Sequence, residues 1–114
     1  KNSVNRWGIY SIKKKINNNN FFISDVVEKP EIKEAQSTNA VIGRYILPRR
    51  IFTKLKYQSM GKGGEIHITD AIKSLINENS KFIGHKFKGT YLDCGTMEGY
   101  IKSSIKISKL WSCV

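Results

Sequence analysis

Two cysteines, two histidines, two prolines and nine acidic residues are all that this 114-residue chain holds of those types. Cys94 and Cys113 are too few for a disulfide framework, and neither stands at zinc-ligand spacing from the other or from His67 and His85. Disulfide-stapled and zinc-held folds are therefore not indicated, and a reduced compartment suits the thiols. No apolar run approaches the ~20 residues of a membrane span, and no apolar segment of a secretory signal follows the first residues. A cytoplasmic protein with no membrane partner is the expectation. The shortage of acid against 20 Lys and Arg leaves a formal net charge of +11, which invites an anionic partner: nucleic acid, a membrane surface or a phosphorylated small molecule. Tight basic clusters occur only at Lys13-Lys14-Lys15 and Arg49-Arg50, and the aromatics are dispersed rather than gathered into a base-stacking platform. Nucleic acid is thus disfavoured.

What is present reads as one small α/β domain, residues 1–114, with no internal repeat. The run from Trp7 to Lys13 has strand character, Asn17 to Asn20 supply a polar turn, and FFISDVVEK follows as a second strand, so the two predict a hairpin. EIKEAQST after Pro30 has no period and predicts a loop. Thr38 to Leu47 predicts a third strand, and Pro48 opens a helix, PRRIFTKLKY, with Ile51, Phe52 and Leu55 on one face. The GKGG cluster at Gly61 to Gly64 lacks the spacing and the Lys-Ser/Thr ending of a phosphate loop and reads as a flexible connector. Next comes a helix capped by Thr69 or Asp70 that buries Ile72, Leu75 and Ile76. KFIGHKFKGTYLD predicts one or two strands. After the turn Asp93-Cys-Gly-Thr96, a last helix from Met97 is expected to bury Tyr100, Ile101 and Ile105.

The stretch DVVEKP, Asp25 to Pro30, carries the functional question. Its proline lacks an N–H and pushes Lys29 toward extended geometry, so the strand should stop near Glu28 and present an exposed Lys29 at its carboxyl end. In open α/β sheets ligands collect beyond that end. A surface ion pair beside a turn is the plainer reading, and the stretch alone does not separate the two.

Four elements in one order bear on it: Trp7-Gly8, Glu28-Lys29-Pro30, NAVIGRYIL followed by GGEIHITDAI, and YLDCGT before a final helix. Together they resemble the carboxyl-terminal part of the UTP–glucose-1-phosphate uridylyltransferases, within the sugar nucleotidyltransferase superfamily, over about Val4 to Ile107. The resemblance implies the carboxyl-terminal portion of a nucleotide-diphospho-sugar transferase fold, a mixed sheet flanked by helices. It implies that Gly8 lets the hexose approach, with Trp7 where the family usually has tyrosine. It also implies that Glu28 accepts hydrogen bonds from sugar hydroxyls, that Lys29 contacts the sugar phosphate and that Asp93 helps hold Mg²⁺, with Gly95 permitting the turn behind it. A loop glycine, a surface pair and a helix N-cap at Asp93 are the structural alternatives.

The implied reaction joins glucose 1-phosphate and UTP to give UDP-glucose and pyrophosphate. The family's glycine-rich nucleotide loop, nucleobase pocket and first metal-binding aspartate are not among these residues. The expectation is accordingly a fragment, a split-gene product or a decaying gene, inactive alone. Three readings stay open: half of a uridylyltransferase, a silent remnant or association module, and a basic nucleic-acid-binding module. Self-association and association with an amino-terminal half are both left open.

Overall fold

A computed structural model of the chain describes residues 4–111, so Cys113 lies outside the described residues. After a 3-10 turn at Val4–Arg6 come β1 (Gly8–Lys15), β2 (Asn20–Glu28), α1 (Ile51–Tyr57), a 3-10 turn at Lys62–Gly64, α2 (Ile68–Asn77), β3 (Ile83–His85) and α3 (Met97–Trp111). The α/β class holds, and the sheet is antiparallel in the order β1-β2-β3. The hairpin forms where expected because Asn17 turns the chain on itself. Its side-chain oxygen accepts the N–H groups of Asn19 and Asn20 at 3.0 and 2.9 Å, supplying partners that no strand could reach there.

One face of the hairpin carries the core. Tyr10 and Val26 stand opposite each other in the β1/β2 register, and Ala71, Ile72 and Leu75 of α2 pack with them and with Ile51 of α1. The spacing 71, 72, 75 and 76 is one stripe of a helix, and Ile76 is only half-buried at its margin. No helix among the described residues is long and apolar enough to cross a membrane.

Four local expectations need correction. Residues 38–47 are not a strand: they touch β1 through the single bridge Ile9↔Ala40, with Val41 N–H donating to Gly8 O at 2.7 Å, and then leave the sheet. Strand propensity needs a neighbour for its backbone groups, and none of the described segments pairs with residues 42–47. Phe52 is exposed in α1 although Ile51 is buried, since Ile51 and Leu55 form the stripe that meets the core and position 52 lies about 100° around the helix from Ile51. Neither Thr69 nor Asp70 caps α2; the helix starts a residue earlier at Ile68, and the Thr69 hydroxyl is engaged elsewhere. Tyr100, Ile101 and Ile105 are about half exposed in α3, whose buried residue is Ser103. The apolar positions of α3 have no facing element among the described residues, so periodicity there marks a face without a cover.

Leu75 is fully buried, so Leu75→Ala should destabilise the chain by about 2–5 kcal/mol. Ile105→Ala on α3 should cost well under about 1 kcal/mol in the same urea titration. Equal losses at the two positions would mean that α3 is packed in solution.

Candidate functional site

The register pairs Gly8, the first residue of β1, with Glu28, the last of β2. Both therefore sit at the end of the hairpin away from its turn. Glu28 reaches toward α2, where the Thr69 hydroxyl, 3% exposed, donates to its Oε2 at 2.8 Å. A Cβ on Gly8 would lie 2.9 Å from Thr69 Cγ2 and 3.1 Å from Glu28 Oε2. Glycine is required here by close approach, because any side chain would push into the Thr69–Glu28 pair. Glu28 Oε1 has no hydrogen-bond partner among the described residues and remains an acceptor.

Lys29 departs from the extended geometry that its proline neighbour predicts. Its φ is +43°, in the left-handed region, which typically costs a non-glycine residue of order 1–3 kcal/mol. Two backbone contacts hold it there. Its N–H donates to Trp7 O at 3.0 Å, and its carbonyl accepts from Lys62 Nζ at 2.6 Å. The residue is half-buried rather than exposed, and its ammonium has no hydrogen-bond or ion-pair partner among the described residues.

The GKGG segment that supplies Lys62 is a closed turn, not a flexible connector. Gly63 and Gly64 take φ of +75° and +74°, Gly61 N–H donates to Glu65 O at 2.8 Å, and His67 Nε2 lies 2.7 Å from Lys62 O. The Nε2 position donates there, since a carbonyl only accepts.

Asp93 reaches the same end of the hairpin from the other side. Arg6 pairs with its Oδ2 at 2.8 Å, and Gly95 N–H donates to Oδ1 at 3.0 Å. The Arg6 guanidinium also lies 5.6 Å from the Trp7 ring centre, and Trp7 meets Tyr91 edge-on with ring centres 5.1 Å apart. Asp93 is not the cap of α3. Thr96 is, its hydroxyl accepting Gly99 N–H at 3.1 Å.

A cleft of about 1100 Å³ opens beside Trp7, between residues 38–46 and 83–91, with Val41, Tyr45 and Tyr91 in its wall. Gly8, Glu28, Lys29 and Asp93 are not in its lining. Burial, and secondarily the Glu28 carboxylate, push the Tyr45 phenol upward. Burial and then Asp93 do the same at Tyr91. The two carboxylates of the site thus act on tyrosines flanking the cleft.

The nucleotidyl transferase family profile matches residues 2–109. The chain belongs to the nucleotidyl transferase family. Among curated relatives, a UTP–glucose-1-phosphate uridylyltransferase of Pseudomonas aeruginosa is 41% identical over 101 residues, covering 89% of this chain and 36% of that protein. One of Mycoplasma pneumoniae is 41% identical over 83 residues, covering 73% and 28%. Among solved structures, a UDP-glucose pyrophosphorylase complexed with UDP-glucose superposes with a TM-score of 0.87 at 39% identity, covering 94% of this chain and 40% of that one. A UTP-bound enzyme of Acinetobacter baumannii gives 0.71 at 30% identity, covering 91% and 35%. The chain spans about a third of the length of the relatives it matches.

Of the residues singled out from the sequence, Gly8 and Glu28 are in contact, Lys29 follows directly, and Asp93 joins them through Arg6 and Trp7. Thr69, Lys62 and Arg6 were missed. In the sequence Thr69 reads only as a candidate helix cap within the ITDAI stretch that carries the resemblance, and Lys62 only as part of the glycine cluster.

Gly8→Ala should destabilise by about 1–3 kcal/mol through overpacking. Thr69→Ser in that background removes the clashing Cγ2 and keeps the hydroxyl on Glu28, so part of the loss should return in thermal melts. No recovery would place the strain elsewhere.

Proposed function

We propose that this chain is the sugar-phosphate side of a UTP–glucose-1-phosphate uridylyltransferase, acting together with nucleotide-binding residues outside it. The observation that carries the reading is Lys29: a half-buried lysine whose ammonium has no ionic partner among the described residues, on a left-handed backbone beside a partly buried Glu28–Thr69 pair. A cation held without a counter-ion costs desolvation that an anionic ligand offsets. The relatives' names supply the anions: UTP and glucose 1-phosphate.

In this reading a phosphate oxygen of glucose 1-phosphate attacks the α-phosphorus of UTP. The new P–O bond forms as the bond to the β-phosphate breaks, and pyrophosphate leaves. Two polyanions must meet, so positioning and charge neutralisation dominate. Lys29 neutralises the sugar phosphate as a compact point charge. Glu28, with Oε2 occupied by Thr69, offers Oε1 to sugar hydroxyls, and the bare backbone at Gly8 lets the hexose come close.

The family resemblance also implies Mg²⁺. Among the described residues no group of three or more His, Cys, Asp or Glu could hold a metal. Asp93 fits as one hard carboxylate of a shared site, which suits an ion usually held by one or two carboxylates plus substrate phosphates. When bound, the ion would supply charge neutralisation at the diphosphate. Arg6 and the Gly95 N–H each occupy one lone pair of the carboxylate, which leaves a lone pair on each oxygen for the ion.

In the complete enzyme Lys29→Ala should lower turnover by about two to three powers of ten while costing about 0.5 kcal/mol or less in stability. Coupled pyrophosphate-release kinetics and melting curves measure the two, and near-normal turnover would reduce Lys29 to a surface charge.

Asp93→Asn keeps the Thr96 cap and loses only a partly exposed ion pair, a matter of under about 1 kcal/mol. The melting temperature in chelator should therefore hold while the Mg²⁺ concentration needed for half-maximal turnover rises. A variant silent in the Mg²⁺ titration would remove Asp93 from the site.

A further inference from the structure

We infer that Lys62 is a positioning residue for the Lys29 ammonium, acting through the Lys29 carbonyl. The inference rests on the uridylyltransferase reading and adds to it a residue that acts through the Lys29 backbone.

Residue 29 sits in a backbone conformation that its proline neighbour disfavours, so something must hold it. The peptide that follows can offer no hydrogen bond of its own, because Pro30 has no N–H. The two backbone groups of Lys29 are clamped from opposite sides: the N–H by Trp7 O at 3.0 Å, the carbonyl by Lys62 Nζ at 2.6 Å. Lys62 is the carbonyl's only partner among the described residues. Without it that carbonyl is free to turn toward water, residue 29 can relax toward extended geometry, and the direction of its side chain changes with φ.

Lys62 is also well placed to stay put. Its backbone is fixed inside the closed turn by the left-handed Gly63 and Gly64, and its carbonyl accepts from His67. Gln58 Nε2 in turn donates to His67 O at 2.9 Å, tying the turn to the end of α1. The ammonium is steered further by Glu31, whose carboxylate lies 3.9 Å away. The Lys62 side chain is 53% exposed, so its removal leaves no cavity and should not unfold the protein.

The test is a double-mutant cycle in the complete enzyme, with Lys62→Ala, Lys29→Ala and the pair, plus Lys62→Arg as the variant that keeps a cationic donor. Lys62→Ala should lower kcat about ten-fold with the KM for UTP and the melting temperature nearly unchanged. In the Lys29→Ala background the same change should have almost no effect, and Lys62→Arg should recover most of the lost rate. An equal loss with and without Lys29 would overturn the inference in favour of an independent charge effect. Full activity in Lys62→Ala would overturn it outright. A silent Lys29→Ala would instead sink the uridylyltransferase reading of Lys29, and the inference with it.

Discussion

Antiparallel pairing of Gly8 with Glu28 is the constraint on which the rest of the site depends. Side chains alternate across a sheet, so a slip of one residue would carry Glu28 off the face that α2 covers and away from Thr69. The same slip would bring a residue with a Cβ into the space that only glycine fills. Lys29 inherits its place from this pairing, because the Lys29 to Trp7 hydrogen bond is the next rung beyond the Gly8/Glu28 pair. The register shifts in the ladder fall at Ser11/Ile12 and Ile12/Lys14, toward the hairpin turn, and leave the site end regular.

Local chemistry explains what was legible in the sequence. The asparagine turn, the two strands it joins and the stop at Glu28 each follow from side chains within a few residues of the feature. The left-handed Lys29 was not legible, because its cause is distant: a carbonyl on β1's entry segment and an ammonium from residue 62 together override the local preference set by Pro30. Thr69 illustrates the same point. A threonine early in a helix reads as a cap, yet a carboxylate 41 positions earlier in the chain takes its hydroxyl.

Residues 38–47 and α3 failed for a different reason. Residues 38–47 bring only Val41 and Leu47 to the core and make one bridge to β1, and the apolar positions of α3 have no cover among the described residues. Val, Ile and Tyr in 41–46 favour a pleated surface, but a strand is a relation between two segments, and β1 accepts only one bridge there. Periodicity states which side chains share a face. It does not state what lies opposite.

The charged groups of the site divide into two kinds. At Asp93 charge is matched, with Arg6 on one oxygen and a backbone N–H on the other. At Lys29 the ammonium has no partner among the described residues and the backbone is left-handed. Extending residue 29 would give up two backbone hydrogen bonds, and moving a carboxylate to its ammonium would take Glu28 from Thr69. A chain with a net charge of +11 does not lack cations; what distinguishes Lys29 is that it stands on a left-handed backbone at the end of β2, beside the Glu28–Thr69 pair. In the proposed reading its neutralisation comes from the phosphate of a sugar phosphate, set beside the acceptor carboxylate of Glu28 and the bare backbone of Gly8.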